Sequence, residues 1–183
     1  RYEYEQALTT EKLDTTINKD TIRSFYDKNP NQFKLHQNVI KLKYLLVPNT
    51  APQKAQLATW FKSEKNYYLD SLYRYAKRHA DNFSLEDDKW YYYNKVQTRL
   101  NLPKKDQERF LKQHKLHTSE GSAFTTYVYI TDFKLKNDIA PLPLKREAIK
   151  NMILNRRKVE LINNMEKEVV TNGLKKNYVK RYD

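Results

Sequence analysis

The clearest strand signal in the chain is the stretch Val39-Ile-Lys-Leu-Lys-Tyr-Leu-Leu-Val-Pro48. Ile40, Leu42 and Tyr44 alternate with lysines, and this period of two is typical of a strand. Pro48 ends the run, because proline has no amide hydrogen to donate within a sheet. The stretch therefore predicts a strand, and the remaining elements are assigned outward from it.

The sequence before this strand predicts two short helices. Tyr4 and Leu8 begin a helical stripe that ends near Leu13. Asn18 is a suitable N-cap for the second helix, because its side-chain oxygen can accept a hydrogen bond from a free backbone amide. The segment Asn29-Pro-Asn31 then ends that helix. Helices this short bury little surface alone, so we expect them to pack on a later part of the chain.

The sequence after the strand alternates between helical and strand patterns. The spacing of apolar residues predicts a helical region over 51–80 that contains a break, and residues 81–88 have the composition of a loop. Pro103 suits the first turn of a helix that continues through Leu111. Two aromatic runs predict further strands, namely Lys89-Trp-Tyr-Tyr-Tyr93 and the alternating stretch from Ser122 to Phe133.

The C-terminal part predicts a long amphipathic helix from Leu144 to Asn172. Gly173 stands where a glycine is expected just past the end of a helix. A last short strand is predicted at 177–182. The apolar stripe of the long helix consists of Ile149, Met152, Ile153, Leu161, Ile162, Met165 and Val169. The order of all these elements predicts an α+β protein.

Composition excludes several kinds of chemistry. The 183-residue chain has 35 lysines and arginines against 22 aspartates and glutamates, a net charge of +13, with two glycines and no cysteine. Phosphate-binding loops need clustered glycines, and Gly121 and Gly173 are far apart. Disulfides, thiol catalysis and cysteine-ligated zinc are excluded as well. The chain therefore either binds a partner or uses tyrosine, histidine and carboxylate groups for acid–base or steric chemistry.

No arrangement of residues predicts a catalytic or metal site. His114 and His117 could share a helix face, but no third ligand accompanies them, so a solvated pair past the end of a helix is preferred. The carboxylates of Glu86-Asp-Asp88 lie on a predicted loop and are read as a turn cluster. No serine stands in the strand-to-helix turn of a hydrolase nucleophile. We therefore predict no catalytic residue, no metal and no cofactor.

Several segments of the chain resemble one protein family. Pro141 to Ile162, with the short strand from Tyr178 to Tyr182, is similar to the C-terminal helix and tail of SurA/PrsA-type periplasmic peptidyl-prolyl isomerase chaperones, in their Bacteroidetes-like branch. Leu13 to Phe33 resembles the end of their N-terminal chaperone domain. Lys41-Leu-Lys-Tyr-Leu-Leu-Val47 resembles the first strand of a parvulin domain. The resemblance covers nearly the whole chain.

The resemblance implies a parvulin-like domain, a small sheet with flanking helices, inserted between N-terminal helices and a long C-terminal helix. Residues 1–38 then form an N-terminal helical chaperone segment, and residues 39–136 form a degenerate parvulin-like domain. Residues 137–183 form a C-terminal helix and short strand that pack on the N-terminal segment as one SurA-like chaperone module. Missing N-terminal residues would leave apolar helix surface uncovered. This predicts either a domain-swapped homodimer or a cut chain.

The parvulin-like segment departs from the family at its active site. Active parvulins carry a histidine where this chain has Tyr44, and a second, facing histidine where it offers Tyr127 or Tyr129. Their glycine-rich turn is replaced by Asp87-Asp-Lys-Trp90. The histidines hold the pocket in which an Xaa-Pro bond twists, across an uncatalysed barrier of about 18–20 kcal/mol. Tyrosines supply neither the same charge nor the same hydrogen bonds, so we expect weak or no isomerase activity.

The function implied by the resemblance is that of a chaperone which holds unfolded polypeptides. Tyrosine and tryptophan combine a large apolar area with a polar group, which suits non-specific capture of an unfolded chain. The candidates for peptide contact are Tyr44, Trp90, Tyr92, Tyr127 and Tyr129. For Tyr44 and Tyr127 the alternative is a core position with the hydroxyl at the rim. An active parvulin-type isomerase is the alternative function.

The resemblance also implies a place and partners. It implies the periplasm or cell envelope, with unfolded clients and outer-membrane assembly or secretion components as partners. The first residues lack the apolar core of an export signal, so we expect any signal or lipid anchor to precede Arg1. Lysines and arginines are spread along the chain, so nucleic acid is not an expected partner. A basic nucleic-acid-binding domain that combines tyrosine stacking with phosphate contacts is the second alternative.

Overall fold

Strand β1, Val39–Pro48, is the central strand of a five-stranded antiparallel sheet. The computed structural model of the chain describes residues 13–63, 65–86, 88–113 and 115–175. β1 pairs along its length with β5, Phe124–Lys134, and β5 pairs in turn with β4, Leu116–Glu120. The other edge of β1 pairs with β3, Trp90–Tyr92, and with β2, Asn82–Ser84. The strand predicted over residues 39–48 is confirmed.

Six α-helices accompany this sheet in the described residues. They are α1 Lys19–Lys28, α2 Leu57–Lys62, α3 Asn66–His79, α4 Tyr93–Gln97, α5 Gln107–Gln113 and α6 Leu142–Lys175. The prediction of an α+β protein with a small sheet and a long C-terminal helix is confirmed, and the predicted break in the region 51–80 separates α2 from α3. The helix predicted in the first residues and the strand predicted at 177–182 lie outside the described residues.

The two faces of the sheet carry separate apolar cores. Ile40, Leu42 and Tyr44 of β1 pack with the region that contains α4 and α5. Leu45 and Val47 pack with α2 and α3. Successive side chains of a strand point to opposite faces, so the even-numbered and odd-numbered residues of β1 enter different cores. Because helices cover both faces, β1 is buried on both sides of the sheet.

Two edge strands lie where the sequence predicts none. β2 occupies part of the predicted loop 81–88, and β4 contains His117, which the sequence places past the end of a helix, so both predictions are wrong. β2 has three residues, and Leu116 is the one apolar side chain of β4. Such strands have no hydrophobic period of their own, and their conformation depends on pairing with β1 and β5.

Two helix ends also differ from the prediction. α5 begins at Gln107 and does not include Pro103. The reason is that Asp106 has a φ of 52°, a left-handed conformation that a right-handed helix cannot contain. α6 continues to Lys175, so Gly173 lies inside the helix and not just past its end. The predicted positions of α5 and α6 are therefore right, whereas these two boundaries are wrong.

The chain divides into two compact units. The first unit contains residues 1–29 and 145–183, and the second contains residues 30–144. Within the second unit, an isolated bridge joins Lys34 to Ile139, and the amide of Ala140 donates to the carbonyl of Phe33 at 2.8 Å. These pairings lie outside 39–136, the range that the sequence assigns to the middle domain. The second unit therefore extends beyond that range at both ends.

Arg157 of α6 fixes the segment that precedes α1 within the first unit. Its guanidinium donates to the carbonyl oxygens of Asp14 and Thr16 at 2.7 and 2.9 Å, and lies 3.2 Å from the Asp14 carboxylate. The pKa of Asp14 is lowered, mainly because its carboxylate accepts a hydrogen bond from the Thr16 amide. This arrangement gives α6 a direct connection to the start of α1.

The predicted apolar stripe of α6 is fully buried only in its first part. Ile149 and Ile153 are buried, whereas Met152 is 40% exposed and Val169 is 66% exposed. Met152 and Val169 therefore face solvent, although the sequence pattern places them on the apolar stripe. The first turns of α6 hold the packed side chains, and the later turns present apolar residues to solvent.

We expect the Asn18→Ala substitution to lower the free energy of unfolding by about 1 kcal/mol. Asn18 is the N-cap of α1, as predicted, and its Oδ1 accepts hydrogen bonds from the amide and the hydroxyl of Thr21, each at 2.7 Å. Asn18→Ser is the matched control, because serine keeps an acceptor at the cap. Urea unfolding measures both variants, and equal losses in the two would show that the loss does not come from the capping acceptor.

Candidate functional site

Tyr44 lies in the core between the sheet and α4–α5, with its hydroxyl near the β2 edge. The side chain is buried, and its hydroxyl donates to Asn82 Oδ1 at 2.7 Å. The guanidinium of Arg99, an exposed residue, lies 5.1 Å from the centre of the ring. Sequence reasoning missed Asn82 and Arg99, because neither belongs to a motif. The ring is thus held between the core and a cation at the surface.

Tyr44 and Tyr127 lie on opposite faces of the sheet. The register pairs Tyr44 with Val128, and Leu45 with Tyr127. Because successive residues point to opposite faces, Tyr127 belongs to the α2–α3 side, and Tyr129 packs there as well. The facing tyrosine pair that the resemblance implies is therefore not formed. Tyr44 faces an aliphatic side chain at the paired position.

His117 of β4 lies on the same face of the sheet as Tyr44. Val128 of β5 pairs with Tyr44 on one side and with His117 on the other, which puts the three residues in one row. The centres of the His117 and Phe110 rings lie 5.2 Å apart with the rings perpendicular, and His117 Nε2 lies 3.2 Å from the carbonyl oxygen of Asn101. His117 is thus a half-buried member of this face, which sequence reasoning missed because β4 gives no periodic signal.

Trp90 and Tyr92 lie on β3, where they pair with Lys41 and Val39 of β1. Both are half-buried and pack on a third apolar cluster, which includes Val39. The predicted contact residues therefore belong to three clusters: Tyr44 with α4–α5, Tyr127 and Tyr129 with α2–α3, and Trp90 and Tyr92 with this third one. Contact of these residues with a peptide stays a prediction.

Several aromatic rings of the second unit have a cationic side chain over the ring face. In the described part of the chain, the distances from cation to ring centre are 5.4 Å for Lys41 and Trp90, 4.7 Å for Lys77 and Tyr73, 5.5 Å for Lys89 and Tyr91, and 5.1 Å for Arg99 and Tyr44. Apart from half-buried Lys41, these cations are exposed. We call Tyr44, Tyr73, Trp90 and Tyr91 the cation-covered aromatics.

Comparison with solved structures finds a likeness in fold. No protein-family model and no curated protein sequence matches the chain. The fold is similar to a solved structure from the human pathogen Campylobacter jejuni, from work that describes the virulence factor PEB4 and the periplasmic protein Cj1289 as two structurally related SurA-like chaperones. The TM-score is 0.38 and the identity 11%, with 100% of this chain and 69% of that chain covered.

The charged side chains of the described residues form no metal centre. Across 13–63, 65–86, 88–113 and 115–175, no three histidine or carboxylate side chains could hold a metal ion together. Glu86 and Asp88 of the predicted carboxylate cluster are exposed, whereas Asp87 and His114 lie outside the described residues. None of the described helices is both long and apolar enough to cross a membrane.

Alkaline pH is expected to unfold the second unit through its buried tyrosines. Burial raises the pKa of Tyr93 from 10.0 to about 12, and it also raises the pKa values of Tyr75 and Tyr127. An unfolded chain releases these protons at lower pH than the folded chain, so stability is lost as pH rises from 10 towards 12.

Absorbance at 295 nm measures tyrosinate formation during such a titration. We expect a late group of tyrosines that ionises together with the loss of the circular-dichroism signal. A single ionisation step near pH 10 that includes all tyrosines, with the fold retained, would show that burial does not protect these hydroxyls.

Proposed function

We propose that this chain is a chaperone-like protein that holds unfolded client polypeptides, with weak or no prolyl isomerase activity. The observation that supports the proposal most strongly is the set of cation-covered aromatics on the second unit. The proposal also agrees with the sequence resemblance to periplasmic chaperones. Its mechanism is reversible burial of client side chains, with no bond broken and no ATP required.

At the exposed or half-buried rings of Tyr73, Trp90 and Tyr91, the cation can be replaced by a client side chain at small cost. A cation–π contact at an exposed site contributes about 0.5–1 kcal/mol. Burial of an aliphatic or aromatic client side chain contributes about 1.5–3 kcal/mol. The displaced lysine or arginine keeps its charged group in water. Replacement of the cation at several rings therefore favours binding of extended apolar client segments and does not require one defined client sequence.

Weak or absent isomerase activity is proposed from the surroundings of Tyr44. Its hydroxyl is engaged with Asn82, and Val128 occupies the paired position on β5. Two facing groups that can hold a twisting Xaa-Pro bond are therefore not in place between β1 and β5. The alternative of an active parvulin-type isomerase is favoured by one observation, which is that His117 lies in the same row as Tyr44.

Cis–trans exchange of an Xaa-Pro peptide separates these two functions. We expect NMR exchange spectroscopy to show the uncatalysed exchange rate in the presence of the chain. Acceleration that is lost in Tyr44→Phe or His117→Ala would favour the isomerase and would place its site on this face. Acceleration that survives substitution of Tyr44 and Tyr127 would exclude those residues as the site.

The proposed place of action is the periplasm or cell envelope, with a lipid-anchored form as part of the same proposal. The proposed partners are unfolded clients and outer-membrane assembly or secretion components, and a homodimer is the proposed assembly. Cell fractionation and analytical ultracentrifugation test these points.

Nucleic acid is not an expected partner. Binding to an oligonucleotide that weakens steeply with salt would support the nucleic-acid alternative instead.

A further inference from the structure

A small pocket lies between α2 and α3 in the second unit. Its volume is about 210 Å³. It is lined by Gln53, Trp60, Ser71, Arg74, Tyr75, Arg78 and His79. Pockets for drug-sized ligands have volumes of about 300–1,000 Å³, so this pocket fits a group of the size of one amino-acid side chain. It lies on the α2–α3 side of the sheet, and Tyr44 faces the other side.

The floor of the pocket is aromatic and held in place. Tyr75 is buried, and its hydroxyl donates to the carbonyl oxygen of Pro52 at 2.8 Å. The Trp60 ring meets Tyr75 edge to face at 5.9 Å, and the His79 ring lies 4.8 Å from Tyr75. With its hydroxyl used by the backbone, Tyr75 presents ring surface to the pocket. The floor therefore favours an apolar or aromatic group.

The rim of the pocket is cationic and has no acidic lining residue. Arg74 and Arg78 lie one turn apart on α3 and are exposed. The ion pairs found among the described residues join other side chains, so neither arginine has a carboxylate partner within that part of the chain. Lys77, their neighbour on α3, instead lies over the ring of Tyr73 at 4.7 Å.

The helix dipole explains only part of this charge. A helix C-terminus carries about half a negative elementary charge, confined to its last turn. Lys77, Arg78 and His79 already stand in that turn of α3, and Arg74 precedes it. The positive charges of Arg74 and Arg78, added to that of Lys77, are larger than the partial negative charge at this helix end. Arginine forms paired hydrogen bonds with planar oxyanions such as a carboxylate. Two arginines beside aromatic rings therefore suit a ligand that carries a carboxylate next to an apolar group.

We propose that this pocket binds one carboxylate-bearing residue of a polypeptide, with the carboxylate on Arg74 and Arg78 and the apolar part on Trp60 and Tyr75. The proposal does not rest on the chaperone function, because it follows from this pocket alone. The small volume and aromatic floor favour a residue-sized group. The carboxylate belongs either to an acidic side chain or to a chain terminus.

Trp60 provides a direct reporter of binding. The chain has two tryptophans, so a Trp90→Phe background leaves Trp60 as the sole source of tryptophan fluorescence. We expect phenylacetate to give a saturable change in this signal, and its neutral analogue 2-phenylacetamide to give none. Removing one charge-assisted hydrogen-bond partner, in Arg74→Gln or Arg78→Gln, is expected to weaken phenylacetate binding about tenfold or more. Calorimetric titration of the chain with both tryptophans provides an independent measurement.

The matched control is Lys77→Gln, which removes the same charge from the same helix outside the pocket lining. We expect it to leave phenylacetate binding nearly unchanged. Equal losses in Lys77→Gln and Arg74→Gln, equal binding of phenylacetate and 2-phenylacetamide, or no binding at all would overturn the proposal. Tighter binding of phenyl phosphate or a nucleotide than of phenylacetate would overturn it in favour of a phosphate site.

Two short peptides distinguish the sources of the carboxylate. One is amidated and has a single internal glutamate, and the other has a free C-terminal carboxylate and no acidic side chain. Displacement of phenylacetate by the first identifies an acidic side chain, and displacement by the second identifies a chain terminus. Failure of both peptides to compete would contradict the polypeptide assignment. A chain that binds these peptides and yet fails to hold unfolded clients would separate this pocket from the proposed function.

Discussion

Replacing Tyr93 with alanine is expected to lower the free energy of unfolding by about 3–5 kcal/mol. Tyr93 has no exposed surface and belongs to the core beneath α4 and α5. Its removal leaves a cavity in the core that also contains Tyr44. Urea denaturation followed by circular dichroism measures the change.

Tyr93→Phe separates the packing of this ring from its hydrogen bond. The Tyr93 hydroxyl donates to the Pro103 carbonyl oxygen at 2.9 Å, and Nε2 of Gln97 donates to the same oxygen at 2.7 Å. The carbonyl keeps a partner in the phenylalanine variant, so we expect a loss of about 1 kcal/mol. A phenylalanine variant as unstable as the alanine variant would show that the hydrogen bond, and not the ring, stabilises this core.

Replacing Ile149 with alanine is expected to lower the free energy of unfolding of the first unit by about 2–5 kcal/mol. Ile149 has no exposed surface and lies in the part of α6 where the apolar stripe is buried. Alanine is the better helix former, but this advantage of about 0.4 kcal/mol is small beside the lost burial. Loss of the helical circular-dichroism signal in urea reports the change.

Met152→Ala is the control on the same helix. Met152 is 40% exposed, so truncation there is expected to change stability by about 0.5 kcal/mol or less. The two substitutions together test which side of α6 packs within its unit. A larger loss of stability for Met152→Ala than for Ile149→Ala would mean that α6 packs on its Met152 side and not on its Ile149 side.

Local signals explain why much of the fold is predictable from the sequence. The alternation over Val39–Pro48 predicts β1, and the cap residue Asn18 predicts the start of α1. β2 and β4 are not predictable in this way, because both are edge strands with few apolar residues. The start of α5 depends on the left-handed conformation of Asp106, for which its sequence context gives no unique signal.

The arrangement of the candidate site depends on strand register, which the sequence does not reveal. Tyr44 pairs with Val128, and a slip of one residue would instead bring Tyr127 opposite Tyr44. A register shift between Lys41 and Leu42 adds to the difficulty, since it changes the pairing along one strand. Sequence reasoning therefore identified Tyr44 but not His117, which reaches the same face only through β4 and β5.

Light scattering of an unfolded outer-membrane protein, diluted from urea with and without this chain, tests the proposed holding function most directly. We expect the chain to suppress aggregation in proportion to its concentration, without ATP. We also expect less suppression when Tyr73 and Trp90 of the cation-covered aromatics are both replaced by serine. Aggregation at an unchanged rate in the presence of a folded, excess chain would contradict the proposed function.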